Sequence, residues 1–318
     1  MLDPRSLYDL HGEPTRPASG DQPPAGPVLL HALTGFIDAG QAGALASAHL
    51  LETMEHRPIA TFDVDQLLDY RSRRPPMLFV ADHWETYQDP SLVLHELTDP
   101  AGAKFLLLEG AEPDVQWERF IAAVQGLVDS FDVRLTIGVH GIPMGVPHTR
   151  PTSVTAHATR TDLVAGRDAW VGTVQVPGSV INLLELRLGQ AGRDAMGFAV
   201  HVPHYLAQSD YPDAAAALLE NVAATTDLTL PTADLHAAAE ANRRELDEQI
   251  QGSAEVAAVV QALEQQYDSY VESRGGDAPG DEQSLLAGRR GFPTADELGA
   301  ELERFLADQP KGGDHPDS

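Results

Sequence analysis

Short apolar runs of strand length alternate along most of the chain with segments in which apolar residues recur at helical spacing. The run Val28–Phe36 predicts a strand, and the apolar stripe within Asp114–Phe131 predicts a helix. The same patterns predict two strands within 91–110, single strands within 133–142, 153–160 and 195–202, and helices over 38–54, 177–192 and 211–226. Because strands and helices alternate, we expect an α/β fold with a largely parallel sheet covered on both faces.

The pattern changes after Leu230. From Thr232 onward the chain is rich in Ala, Glu and Gln, and strand-like runs stop. Helices over 235–251 and 253–274 are predicted to form an αα-hairpin, followed by a last helix over 292–309. We therefore expect a flexible lead-in (1–27), an α/β core domain (28–230), a helical C-terminal subdomain (231–309) and a disordered tail (310–318).

The second helix of the predicted hairpin carries an apolar stripe that has to be buried somewhere. The stripe consists of Val256, Val259, Val260, Leu263, Tyr267 and Tyr270. Its own domain or a second subunit could cover it, and the sequence leaves both alternatives open.

Composition and charge narrow the classes of function. The 318 residues include 21 Lys and Arg against 48 Asp and Glu, for a formal net charge of -27. A surface this negative repels phosphate backbones and anionic lipids, so we expect no nucleic-acid or membrane partner. The chain has no cysteine, which excludes disulfides and thiolate chemistry. No secretory leader and no apolar stretch of about 20 residues is recognisable, so we expect a cytoplasmic protein.

A glycine-containing turn, GFIDAGQAG at 35–43, joins the first strand to the first helix. Asp38 is placed to cap this helix, because its carboxylate can accept hydrogen bonds from the first-turn amides. Such turns also bind anions, which makes Asp38 and Gly40 candidates for a ligand site. The spacing fits neither G-x-G-x-x-G nor the P-loop, so an ordinary strand-to-helix connection is the favoured interpretation.

Two histidine-containing clusters follow predicted strands, VPHTRP at 146–151 and HVPHY at 201–205. Ligand crevices in open α/β sheets lie at the carboxyl ends of the strands, so we expect the clusters to face each other there. Their candidate site residues are His148, Thr149, Arg150, His201, His204 and Tyr205.

These clusters have two interpretations. In the functional one, Arg150 clamps an anion, His148 transfers a proton and Thr149 donates a hydrogen bond. In the structural one, the flanking prolines fix a crossover and the polar side chains hold neighbouring strand ends together. The structural interpretation is favoured.

Metal and nucleophile chemistry have weaker support. A metal is conceivable because several histidines lie near predicted strand ends, but no ligand spacing typical of a metal site occurs, so no metal or other cofactor is expected. The nucleophile-elbow pattern G-x-S-x-G is absent, and Ser179 is better explained as the start of a helix. The histidines in question are His140, His148, His157, His201 and His204.

Several segments together resemble the actinobacterial branch of the PAC2 family. They are LTGFIDAGQAG, GIPMGVPHTRP, PGSVINLLELRL, VPHYLAQSDYPDAAAALLE, LEQQYDSYV and PTADELGAELERFL. The resemblance runs from about Val28 to Ala307. One departure is Ile37, which stands in GFIDAG where the family has the polar residue of GWNDAG, and this weakens a polar ligand site at the turn.

The resemblance implies a three-layer α/β/α core similar to nucleoside-phosphorylase folds, a C-terminal helical extension and a homo-oligomer, with a trimer as the first expectation. It also implies a non-enzymatic binding or assembly protein, with proteasome subunits as a candidate partner. The alternatives are a phosphorylase-like or hydrolase-like enzyme acting on a small molecule, or a ligand sensor that uses the strand-end crevice. Fold alone does not choose among these functions.

Overall fold

The computed structural model describes residues 2–15, 26–167 and 173–275. The predicted last helix and the predicted tail lie outside the described residues, as does most of the Pro- and Gly-rich part of the lead-in. The strands are β1 (Tyr8–Leu10), β2 (Val28–Thr34), β3 (Glu55–Phe62), β4 (Met77–Val80), β5 (His83–Tyr87), β6 (Leu92–Thr98), β7 (Lys104–Ala111), β8 (Leu135–Met144), β9 (Val154–Ala158) and β10 (Ala195–Pro203). The helices are α1 (Ala42–Thr53), α2 (Trp117–Ser130), α3 (Val180–Gln190), α4 (Pro212–Thr226), α5 (Ala233–Gln251) and α6 (Ala254–Gly275).

Eight of these strands form one sheet in the order β1-β3-β6-β7-β2-β8-β10-β9. The pairs β7–β2, β2–β8 and β8–β10 are parallel, whereas every other pair in the sheet is antiparallel. The expectation of a largely parallel sheet is therefore wrong. The parallel strands form the centre. On one side the β6–β7 hairpin reverses the chain, and on the other side β9 pairs antiparallel with β10 at the edge of the sheet.

Helices cover both faces of the sheet, which confirms the predicted α/β class. One core cluster packs α1 and α4 against the side chains of Leu30 and Ala32. The other packs α2 and α3 against Leu29 and Leu33, which alternate with the first pair along β2. Alternate residues of a strand point to opposite faces, so the continuous apolar run of β2 serves both layers.

Residues 4–10 are structured and pack on the core through Leu7, in place of a flexible lead-in. A single-turn 3₁₀ helix at Pro4–Leu7 is followed by β1, which pairs with β3. Leu7 is fully buried. The guanidinium group of Arg119 donates hydrogen bonds to the backbone oxygen of Asp3 and to Ser6 Oγ. The prediction of a flexible segment over 1–27 is thus wrong for residues 4–10.

Helices α5 and α6 form the predicted αα-hairpin, which we call the arm. The two helices are separated at Gly252 and Ser253, as predicted. Leu235 and Ala239 of α5 are buried, as are Val260 and Leu263 of α6. The apolar stripe of α6 is therefore covered, at these positions, by the protein's own domain.

Strands β4 and β5 form a β-hairpin that was not predicted. These strands pair only with each other, and every residue in both is exposed. β4 is a run of four apolar residues, Met77–Val80, so a usable strand signal was present in the sequence.

Candidate functional site

Asp38 uses its carboxylate to tie the glycine turn to the neighbouring strand. Its oxygens accept hydrogen bonds from the backbone amides of Gly43 (2.8 Å), Ala44 (3.0 Å) and Gly141 (3.0 Å). Burial raises the pKa of Asp38, and the three amide hydrogen bonds oppose that rise. The carboxylate occupies the first-turn amides that an external anion would need, so an anion site at this turn is closed.

The cap differs in detail from the prediction. Helix α1 begins at Ala42, and Gln41 occupies the N-cap position in a left-handed conformation. Asp38 nevertheless satisfies first-turn amides, as predicted, from three residues further back. For α3, Ser179 is the N-cap and accepts from the amide of Asn182, so the helix starts after Ser179 and not at Pro177.

Gly40 joins the same turn to the segment that follows β10. Its amide donates to the oxygen of Ala207 and its oxygen accepts from the amide of Tyr211, both at 2.9 Å. Its φ of 66° lies in the left-handed region, where glycine carries no penalty. The turn after β2 and the HVPHY segment are therefore held side by side.

The VPHTRP and HVPHY clusters meet through Tyr205. The amide of His148 donates to the Tyr205 hydroxyl at 2.9 Å, and that hydroxyl lies 2.7 Å from Nδ1 of the same histidine. A hydroxyl that accepts from the amide can donate its own proton to Nδ1, which assigns the ring proton to Nε2. Nε2 is buried without a hydrogen-bond partner, 3.8 Å from Asp247 on α5. Burial lowers the pKa of His148, although Asp247 partly opposes this.

Thr149 and Arg150 bind the arm. The Thr149 hydroxyl donates to Glu264 at 2.5 Å. The guanidinium group of Arg150 makes a two-point contact with Asp268, at 2.8 and 2.7 Å, and reaches Glu264 at 3.1 Å. We call these four residues the latch. Two-point arginine–carboxylate pairs have high geometric specificity, so the clamp predicted for an external anion is occupied by the chain's own carboxylates.

Apolar contacts accompany the latch. Met144 and Val146, which flank the end of β8, are buried. Tyr267 and Tyr270 of α6 pack against them. The arm therefore contacts the rim of the sheet through both charged and apolar side chains.

The remaining two histidines of the candidate set have local partners. His201 Nε2 lies 2.8 Å from Thr155 Oγ1 on β9. The ring of His204 forms a hydrogen bond with the backbone of Met144, while its Nδ1 is buried without a partner. Burial lowers the pKa of His204. Both side chains thus join neighbouring strand ends.

The acidic partners in the arm were missed from the sequence. Glu264 and Asp268 are four residues apart, which places them on one face of α6 beside Tyr267. This spacing was a usable signal, because two carboxylates beside an apolar stripe suit a surface that presents an arginine. Which arginine they meet cannot be read from spacing, since Arg150 lies 118 positions before Asp268.

A second group of histidines lies on the α3 side of the sheet. Burial, together with the charges of His140 and His157, lowers the pKa of His31 to about 3. Burial and His157 lower the pKa of His140 to about 4. His157 contacts Glu185 of α3 at 2.9 Å. Within the described ranges, no group of three His, Cys, Asp or Glu side chains could hold a metal ion.

These lowered pKa values predict a loss of stability in acid. Unfolded histidine titrates near pH 6.5, so below that pH the unfolded chain binds protons that folded His31 and His140 refuse. Each ring then lowers the free energy of unfolding by about 1.4 kcal/mol per pH unit until its folded pKa is reached. In urea unfolding between pH 7 and pH 5, we expect His31→Leu to show a smaller pH dependence than the wild type. The exposed His83→Leu is the matched control, and an equal slope in all three proteins would contradict the prediction.

Comparison with known proteins identifies the family. Residues 32–250, more than half of the chain, match the PAC2 family. The chain belongs to the PAC2 family. The match includes the glycine turn, both histidine-containing clusters and the first helix of the arm. No curated protein matches the chain.

Solved structures agree with this membership and with its actinobacterial branch. A protein of unknown function from Mycobacterium tuberculosis is 51% identical, with a TM-score of 0.80 over 84% of this chain and 92% of that one. A protein of unknown function from Corynebacterium glutamicum is 43% identical, with a TM-score of 0.78 over 84% and 98%. A proteasome-assembly chaperone homologue from Mycobacterium tuberculosis is 29% identical, with a TM-score of 0.67 over 73% and 99%.

Proposed function

We propose that this PAC2 protein is a non-enzymatic binding protein that assists the assembly of other protein subunits. The proposal is carried by one observation: the polar side chains at the carboxyl ends of the strands bind other groups of the same protein. Asp38 accepts hydrogen bonds from three amides, Arg150 pairs with two carboxylates, and His148 contacts Tyr205. The arginine that could bind an anionic substrate and the carboxylates opposite it are therefore already paired within the protein. The M. tuberculosis relative described as a proteasome-assembly chaperone homologue supports the same kind of role.

Proteasome subunits are the partner we propose. Co-expression of the α and β proteasome subunits of the source organism, with and without this protein, tests it. We expect more complete particles per unit time in its presence, and a complex with free α subunits before β subunits join. Equal assembly rates without such a complex would reject this partner. An enzyme would instead be revealed by a metabolite that the protein converts into a product.

We also propose that the protein works as a homo-oligomer, with a trimer as the first candidate, and that the β4–β5 hairpin supplies the contact. Its apolar side chains are exposed, including Phe79 at 52% and Trp84 at 62%. Exposed apolar clusters of this kind mark interaction surfaces. A second copy of the chain can cover them without any other partner.

Loss of the hairpin's aromatic side chains should therefore dissociate the oligomer. We expect Phe79→Ser combined with Trp84→Ser to sediment as a monomer while its circular dichroism spectrum is unchanged, because neither side chain contributes to the core. The control is Leu186→Ser on α3, which removes an apolar side chain of similar exposure, 53%. Identical sedimentation of both variants and the wild type would rule out the hairpin as the contact.

The site of action and the domain organisation complete the proposal. We propose that the protein acts in the cytoplasm and that its core domain ends near residue 230, where the helical subdomain begins. Among the helices that the structure describes, none is long and apolar enough to cross a membrane. Cell fractionation tests the location, and limited proteolysis tests the boundary.

A further inference from the structure

A cleft lies at the carboxyl ends of β2 and β7, and no residue of the arm lines it. Its volume is about 460 Å³. Thr34 and Gly110 at the ends of the two strands form part of its lining. Leu51 of α1 and the prolines Pro75 and Pro76, just before the β4–β5 hairpin, provide apolar walls. This volume lies within the range of small-molecule sites, roughly 300–1,000 Å³.

The position of the cleft follows from the topology of the sheet. Strands β2 and β7 are parallel neighbours. Helix α1, which follows β2, packs on one face of the sheet, whereas α2, which follows β7, packs on the other. The chain therefore leaves the two strands in opposite directions and opens a crevice between them. Open α/β sheets bind ligands in such crevices.

The charged side chains of the cleft fall into two classes. Arg73 is paired with Asp114, and Glu109 is paired with His95 at 3.2 Å. Arg74 and Asp89 also line the cleft, yet in the described part of the chain neither has a hydrogen bond or an ion pair, and they do not pair with each other. Both side chains are exposed, so the edge of the cleft presents one positive and one negative charge beside apolar walls.

We propose that this cleft binds a small zwitterion with an apolar body, namely an apolar amino acid or a short peptide. Arg74 would bind its carboxylate, Asp89 its ammonium group, and the wall formed by Leu51 and the prolines its side chain. A ligand with only one charge would leave the other rim residue unmatched. The site is separate from the latch and goes beyond the proposed assembly role.

Titration of the full-length protein with four probes tests the proposal, using isothermal calorimetry together with NMR. The probes are L-leucine, leucyl-leucine, N-acetyl-leucyl-leucine and leucyl-leucine amide. We expect leucine or leucyl-leucine to bind, and each singly charged form to bind about three- to tenfold more weakly than leucyl-leucine. Arg74→Ala should abolish the preference for a free carboxylate, and Asp89→Ala the preference for a free ammonium group. The control is Arg71→Ala, a nearby exposed arginine that does not line the cleft.

Three outcomes would overturn the proposal. The first is no binding of any probe at 10 mM, a concentration on the order of ten times a weak millimolar Kd. The second is equal binding to the Arg74→Ala, Asp89→Ala and Arg71→Ala variants. The third is binding only after the Phe79→Ser and Trp84→Ser substitutions, which would assign the cleft to a neighbouring copy of the chain. None of these outcomes depends on proteasome assembly, so the cleft and the assembly role can fail separately.

Discussion

Gly141→Ala is expected to lower the free energy of unfolding by about 2–4 kcal/mol, because the added methyl group overpacks a rigid contact. A Cβ atom at residue 141 would lie 2.0 Å from the backbone oxygen of Ala39. The obstacle is backbone, so no side-chain rotation relieves it. Moving β8 away from the turn would also break the hydrogen bond from the Gly141 amide to Asp38. Equilibrium urea unfolding measures the loss.

Gly126→Ala is the matched control for this substitution. Gly126 lies within α2, and a Cβ atom there would meet nothing within 4 Å. Alanine is the better helix former, so the free energy of unfolding of this variant should rise by about 0.5–1 kcal/mol. A Gly141→Ala protein as stable as the wild type would mean that the turn and β8 do not approach as closely as described.

Tyr205→Phe should lower the free energy of unfolding by about 2–4 kcal/mol, which is a large effect for the removal of a single oxygen atom. The hydroxyl accepts from the amide of His148 and contacts Nδ1 of its ring. The His148 side chain is only 2% exposed, so water cannot readily replace the lost partner. Each buried polar group left without a hydrogen bond costs about 1–3 kcal/mol. Thermal and urea unfolding both report this loss.

Tyr267→Phe provides the comparison for the hydroxyl. Tyr267 also packs near the rim, on Met144 and Val146, and within the described residues its hydroxyl has no hydrogen bond. We expect Tyr267→Phe to change the free energy of unfolding by no more than about 0.5 kcal/mol, as is usual for substitutions away from buried polar networks. If both tyrosine variants unfold alike, the contact between the two clusters does not stabilise the rim.

Burial decided which elements the sequence could predict. β2, β8 and β10 are buried over most of their length, and their apolar runs are visible in the sequence. β3 was missed because its first four residues are exposed, and so was β5, which is exposed throughout. β4 was missed although Met77–Val80 is an apolar run of four residues. The antiparallel direction of the outer strands was not predicted either, because an apolar run does not show whether the neighbouring strand is parallel or antiparallel.

The candidate site was predicted in its location but not in its partners. The rule that strand ends share one rim led to the expectation that the two clusters face each other, and His148 and Tyr205 are in contact. The sequence could not show that Arg150 is held by Glu264 and Asp268, because the fold alone sets which face of α6 covers the rim. The sequence therefore left the catalytic interpretation of the histidine–arginine cluster open as the less favoured alternative.

The central claim is that the latch holds the arm on the sheet, and hydrogen exchange along α6 tests this claim most directly. In Arg150→Ala, Asp268 and Glu264 lose the guanidinium group that binds them, and release of α6 from the rim should become about two- to fivefold more frequent, because these ion pairs are partly exposed to water. The control is Arg187→Ala, which breaks an arginine–carboxylate pair with Glu118, far from the arm in the fold. We predict faster exchange of the α6 amides in Arg150→Ala and wild-type exchange of those amides in Arg187→Ala. Equal α6 exchange in the two variants would contradict the claim that VPHTRP holds the arm.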